Sequence, residues 1–459
     1  MSEPQQNNGL TLCKGHILFD KGYAVDTFHC GKIPMISNSN FEKEIVKMSV
    51  DGESLELHRV NHGKLMVKSK VRVKDMHDLS IVYTPGVAAP SMEISGDAQK
   101  VWVYTNKGNT VLVVSDGSAV LGLGNIGSNA AIPVMEGKAV LFKEFANIDA
   151  FPICLNTHKP DEIVETIVRI APVFGGINLE DIMAPECFFI EDRLKELLDI
   201  PVFHDDQHGA AVVVTAGLMN ALKIVGKRFE DIKIVSNGIG AAGTAIARML
   251  MRCGVKNLVL CDKRGALSED TPETALTETH HMMSRLTNPY REKGTLEDVI
   301  KGADVFIGTS VGNIVTEEMV SSMAKDAIVF AMANPTPEIN PEKAKRMGAR
   351  IVGTGRSDYP NQVNNCLGFP GIFRGALDVR ASTINEEMKM SAARAIANSV
   401  PEDKLDEGHI LPYPFEMNVV KNVAIAVAKA AVRTGVSRLK LSDAEIEKHI
   451  ENNLGRNRK

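Results

Sequence analysis

Carboxylates crowd two short stretches of the chain. Glu180 and Asp181 lie in LEDI, and Asp205 and Asp206 lie in HDDQHGAA directly after the apolar PVF run. Three or four carboxylates near strand ends suit a hard cation such as Mg²⁺ or Mn²⁺, which prefers oxygen ligands and keeps waters for a substrate to displace. A plainer reading competes: Asp205 or Asp206 caps a helix starting at Gly209, and Glu180 with Asp181 caps or solvates a turn. Adjacent residues on a regular strand point to opposite faces, so Glu180 and Asp181 can ligate together only from a loop or a helix start. His204 and His208 flank the Asp pair, but a zinc site needs a third nitrogen or sulfur ligand and the sequence places none. Two further side chains are candidates for proton chemistry: Tyr83 beside the Pro-Gly turn of YTPGVA, and Lys138 in MEGKAVLFK, read as standing just before a buried strand. Turn-borne Tyr and Lys are more often ordinary surface residues.

A second kind of chemistry is written in IKIVSNGIGAAGTAIARML. Gly238, Gly240 and Gly243, with Ala241 and Ala242 between them, form G-x-G-x-x-G directly after a buried strand and at the start of a helix. The first glycine permits a tight turn, the second lets backbone approach a pyrophosphate, and the third allows close helix packing; the helix N-terminus supplies free N–H donors. The strand NLVLCD ends at Asp262, where a carboxylate typically accepts from ribose hydroxyls and favours NAD. Lys263 and Arg264 follow at once and can instead meet a 2′-phosphate, so NAD and NADP both stand; as a plain solvated loop residue, Asp262 would favour neither.

The elements that must position these groups are legible. From Trp102 to Leu155 short β-branched runs dominate (VWVYT, TVLVVSD, AVLGLG, AVLFKEF, AFPICL), which reads as a sheet; helical spacing follows over Asp161–Ile170, Cys187–Leu198 and Ala210–Val225. After Gly226, strand and helix alternate strictly through IKIVSN, Ala241–Cys253, NLVLCD, DVFIGTS, AIVFAMANP and ARIVGTG, the pattern of a parallel sheet covered on both faces. Helices are expected at Asn364–Arg380, Ile384–Asn398 and Glu416–Arg433. The fold class is α/β: a Rossmann-like doubly wound parallel sheet domain at 222–355, plus an α/β substrate domain built from 46–221 and the C-terminal helices of 356–459. Residues 1–45 form an extension of unassigned role, and no internal repeat is present.

Composition narrows the function classes. The chain has 459 residues, too many for one ordinary core. Its 52 basic and 57 acidic residues leave a net charge of -5 with no basic stripe, so nucleic acid is not an expected partner. No apolar run approaches the ~18–20 residues of a membrane span. The seven cysteines are scattered without a C-x-x-C pair, which reads as reduced thiols in the cytoplasm, and no secretory leader is evident.

Taken together the motifs resemble the malic enzymes, in the shorter form common in prokaryotes. YTPGVAAP, SDGSAVLGLGNIG, PVMEGKAVLFK, EDIMAPECFFIE, PVFHDDQHGAA, ANPTPEI and TGRSDYPNQVNNCLGFPGIFRGALD occur in the family's order. The resemblance implies oxidative decarboxylation of L-malate to pyruvate and CO₂, with NAD or NADP and Mg²⁺ or Mn²⁺. It makes Tyr83 the general acid, Lys138 the general base held neutral by burial and nearby charge, and Glu180, Asp181 and Asp206 the metal ligands. Asn334 would contact substrate and nicotinamide, as would Asn364, with Asn365 a close second. One departure is Ala119, where the larger eukaryotic form carries an arginine for the substrate carboxylate; Asn364, Asn365 or a glycine-rich turn would replace it. The chain ends near Lys459 without the acetyltransferase-like extension of some bacterial members, so no fused activity is expected, and a homodimer is. The competing expectations are a metal-independent NAD(P) dehydrogenase of another small hydroxy or amino acid, and a catalytically inactive relative.

Overall fold

The run TVLVVS is buried at every position, as a strand covered on both faces requires. In the computed structural model, residues 49–271 and 277–455 are described; the expected extension over 1–45 lies outside them. The chain divides into two units, Met1–Leu57 and His58–Lys459. Of the first only 49–57 are described, and the helix α1 (Val50–Asn61) buries no residue. Three helices follow, α2 (Met76–Val82), α3 (Ala88–Gly96) and α4 (Val101–Tyr104), again with none of their residues buried.

A parallel sheet comes next, with β1 (Thr110–Ser115), α5 (Gly127–Ala146), β2 (Asp149–Cys154), α6 (Pro160–Ile170), β3 (Gly176–Leu179), α7 (Glu186–Leu197), β4 (Val202–His204) and α8 (Asp205–Val225). Its strand order is β2-β1-β3-β4. Two segments read as strands are helical: VWVY forms α4 and AVLFKEF lies inside α5. The reason is periodicity. Ser128, Ala131, Met135, Lys138, Ala139, Phe142 and Ala146 are the buried residues of α5, mostly at three- and four-residue spacing that a short apolar run does not reveal. AVLGLG is a loop joined by an isolated bridge between Val120 and Gly124.

The doubly wound part contains β5 (Lys233–Asn237), α9 (Ala241–Arg252), β6 (Asn257–Asp262), β7 (Gly265–Ala266), α10 (Glu278–Leu286), α11 (Leu296–Val299), β8 (Val305–Gly308), α12 (Glu317–Ser321), β9 (Ala327–Ala331), α13 (Pro341–Arg346) and β10 (Ala349–Thr354). The order β10-β9-β8-β5-β6-β7 is parallel except for the short β7. Chain direction across the sheet reverses between β5 and β8, the crevice where such sheets bind ligands. The chain closes with α14 (Phe369–Asp378), α15 (Glu386–Asn398), α16 (Met417–Arg433) and α17 (Asp443–Gly455). Phe142 of α5 packs edge-on against Phe369 and Phe373 of α14.

Among the described residues, α8 alone has the length and composition to cross a membrane. The sequence reading missed this because Ala, Gly, Thr and Asn dilute the apolar run. Its burial against α9 and α15 makes it a core helix here.

Candidate active site

Lys138 projects from the buried face of α5 and is 8% exposed. Its Nζ donates to Asp205 Oδ2, pairs with Glu180 Oε1 at 2.8 Å, and lies 4.0 Å from the centre of the Phe369 ring. Burial pulls this lysine down, but the carboxylates of Asp205 and Glu180 outweigh it and hold the amine well above its ordinary value. The expectation of a lysine lowered by its surroundings is therefore corrected in direction: the neighbouring groups are carboxyls, and their charge raises the amine rather than lowering it.

The carboxylates converge because the chain turns sharply after β3. Glu180 continues the strand by donating its N–H to Val114, and Asp181 then takes a left-handed φ of 53°. That turn removes the strand alternation that would have sent the two side chains to opposite faces. Glu180, Asp181 and Asp206 thereby offer oxygens within 4.8 Å of one another. Asp206 accepts from the Asp181 N–H at 2.8 Å, and Glu180 Oε2 from Asn178 at 2.8 Å. The buried Oδ2 of Asp181 has no hydrogen-bond partner.

Burial and the Asp206 charge push Asp181 up to about 7, and burial drives Glu180 well above its ordinary value. Burial also opposes the Asp206 charge, but His204 and the Asp181 N–H outweigh it and hold that carboxyl low. An orphaned buried oxygen within a set of mutually repelling carboxylates fits a hard divalent cation. The capping alternative is not how these residues are used. Helix α8 begins at Asp205, earlier than expected, and His204 occupies its N-cap without a side-chain cap bond.

Neither histidine points to zinc. Buried His204 lies 3.3 Å from Asp206, and His208 turns away to Glu191 at 2.9 Å, where burial drives it down to about 4. Glu191 also accepts from the His204 N–H and from Gln207, so one buried carboxylate braces the start of α8. Sequence reasoning gave Glu191 no role although it ends the motif EDIMAPECFFIE, because EDRLKEL looks like any solvated helix face. Asp205 was read only as half of a pair. Its full burial between Lys138 and Asn365 comes from tertiary packing.

The asparagines separate. Asn365 donates to Asp205 and so joins the lysine cluster. Asn364 accepts from the Cys366 N–H and caps a short turn. Half-buried Asn334 lies in the loop after β9, where a Cβ on Gly122 would lie 3.3 Å from its carbonyl oxygen. Ala119 donates its N–H to the Asp181 carbonyl, at the edge of the carboxylate group. Tyr83 stands apart: it ends α2, is 68% exposed, and is not among the partners found for Lys138.

At the dinucleotide turn the three glycines have different reasons. Gly238 has a φ of 121°, and a Cβ there would lie 2.4 Å from Thr309 Oγ1. A Cβ on Gly243 would lie 1.9 Å from the Gly238 carbonyl oxygen, whereas Gly240 faces open space at the start of α9. Ala241 and Ala242 follow in the first turn of that helix. An open glycine at a helix N-terminus fits a pyrophosphate. Asp262 ends β6 as expected and accepts from Arg264 Nε and N–H, each at 2.8 Å, while Lys263 is exposed. The two groups expected to discriminate cofactors thus bind each other.

Two family models match the chain. Residues 62–195 match the malic enzyme N-terminal domain and residues 207–434 the malic enzyme NAD-binding domain. The chain is 59% identical to the bifunctional malic/malolactic enzyme of Bacillus subtilis, over 87% of this chain and 97% of the relative. It is 60% identical to the NAD-dependent malic enzyme of Geobacillus stearothermophilus, over 82% of this chain and 78% of the relative. The crystal structure of the malic enzyme from Pyrococcus horikoshii matches with a TM-score of 0.84 at 48% identity, covering 88% of this chain and 96% of the other.

Proposed function

The chain belongs to the malic enzyme family, and we infer that it oxidises L-malate with NAD(P) and decarboxylates it to pyruvate and CO₂. The observation that carries the residue assignment is the contact of Lys138 with both Asp205 and Glu180, beside three carboxylates suited to a divalent cation.

We assign the proton of the malate C2 hydroxyl to Lys138. The amine must first be neutral, and its contact with Asp205 provides the route. A proton passed from Nζ to Oδ2 along that hydrogen bond leaves a neutral pair. Lys138 then accepts the hydroxyl proton while the C2 hydride leaves for the nicotinamide. Asn365 steadies Asp205, and Asn334 faces the nicotinamide side. Glu180, Asp181 and Asp206 would hold Mg²⁺ or Mn²⁺, which would supply Lewis-acid stabilisation of negative charge developing on substrate oxygen. Tyr83 is our candidate for protonating C3.

A homodimer would seat the segment bearing Tyr83, which exposes Leu79, Ile81, Val82 and Tyr83 itself. A cytoplasmic setting is supported by the five cysteines of the described residues, all free thiols. The domain reading keeps the substrate part at 46–221 with the C-terminal helices, and the cofactor part at 222–355.

The test is absorbance of reduced nicotinamide with L-malate and Mn²⁺, run with NAD and with NADP, each with and without chelator. Chelator-sensitive reduction that yields pyruvate is the expected result. Reduction that survives the chelator would favour a metal-independent dehydrogenase instead.

A further inference from the structure

We propose that Glu338 is a positioning residue for the nicotinamide half of the cofactor, its carboxylate tying the loop after β8 to the loop after β9 and so fixing where Asn334 faces. The proposal rests on the cofactor reading of the glycine turn. Glu338 is fully buried. One carboxylate oxygen accepts from the Ser310 N–H at 3.1 Å and the other from the Ala333 N–H at 3.0 Å. Its own carbonyl accepts from the Val315 N–H at 3.0 Å. Gly308, the last residue of β8, makes the room: a Cβ there would lie 2.3 Å from the Glu338 carboxyl carbon.

The clamp continues in both directions. Ser310 Oγ accepts from Asn237 Nδ2 at 2.7 Å, and Asn237 immediately precedes Gly238 of the dinucleotide turn. Ala333 immediately precedes Asn334. A single carboxylate therefore connects the pyrophosphate end of the crevice to the residue expected at the nicotinamide end.

Burying a carboxylate without a cation is unfavourable unless each oxygen is hydrogen-bonded, and among the described residues no basic side chain contributes to the Glu338 environment. What the position requires is a side chain that accepts at both ends. A carboxylate does so, whereas an amide turns an NH₂ toward one of the two N–H donors. Glu338→Gln keeps the shape and releases one loop.

The experiment is a fluorescence titration of NADH into the metal-free protein, with thermal unfolding of each variant and the malate KM of the Mn²⁺ enzyme. Glu338→Gln is expected to weaken NADH binding about tenfold, the size of one lost hydrogen bond to a charged group, while the malate KM moves by a smaller factor. Unchanged NADH affinity, or an equal loss in NADH affinity and malate KM accompanied by a fallen melting temperature, overturns the proposal. Should Glu338→Gln fail to fold, Asn237→Ala cuts the next link, with about threefold weaker NADH binding expected and unchanged binding overturning it. An unaltered protein that binds no NADH would remove the cofactor reading, and the proposal with it.

Discussion

At the dinucleotide turn, Gly238, Gly240 and Gly243 belong to one strand-turn-helix segment, and each is needed for the space it leaves. At the lysine cluster, Lys138, Glu180, Asp205 and Asn365 arrive from four separated segments, and each is needed for its charge or its hydrogen bond. The first site is a steric object built locally, and the second is an electrostatic object built by the fold. Substitutions should therefore fail in different ways at the two.

The largest effect is expected at the cluster. Lys138→Ala should lower kcat by about a thousandfold, measured by nicotinamide absorbance, because the proton acceptor is gone. It also leaves Asp205 and Glu180 buried without their cation, a destabilisation of about 3–5 kcal/mol by denaturant unfolding. Adding Asp205→Asn should restore part of the stability and none of the activity; restored activity would contradict the electrostatic account.

The glycines should separate fold from binding. Gly243→Ala drives a methyl group into the Gly238 carbonyl and is expected to lower the melting temperature. Gly240→Ala enters open space, so it should leave the melting temperature unchanged and weaken NADH binding about tenfold. Equal thermal losses in the two variants would break the distinction.

A smaller change is expected at the end of β6. Arg264→Ala releases the Asp262 carboxylate and removes a cation that a 2′-phosphate could use, so the NAD over NADP preference in kcat/KM should rise by about threefold to tenfold.

The smallest effect is one of pH. Burial holds Glu338 above its ordinary value of 4.5, despite the N–H groups that bond it. A carboxyl raised in the folded state contributes stability that is full below that ordinary value and is lost as pH rises through the raised one. The melting temperature of the unaltered protein minus that of Glu338→Gln should therefore shrink as pH increases above 4.5.

What could be read in advance follows the same line. The parallel strands from β5 to β10 were legible because buried strands write continuous apolar runs, and the glycine turn because strand, turn and helix are neighbours in sequence. AVLFKEF was misread, since a short apolar run fits strand and helix alike until its packing partners are known. Asn364 and Asn365 are indistinguishable as letters, yet one caps a turn and the other reaches Asp205. Glu191 and Glu338 stand inside the motifs EDIMAPECFFIE and ANPTPEI, yet nothing local marks either glutamate as buried.

The sequence by itself determined the family, the chemistry of its cofactor turn and the set of acidic residues available to a cation, all carried by residue types at short spacing. Only the tertiary structure decided that Lys138 sits between two carboxyl groups, that Asp181 turns to join Glu180 and Asp206, and that Tyr83 stands away from them. Charge state and convergence depend on burial and on partners distant in sequence, and those exist only once the chain has packed.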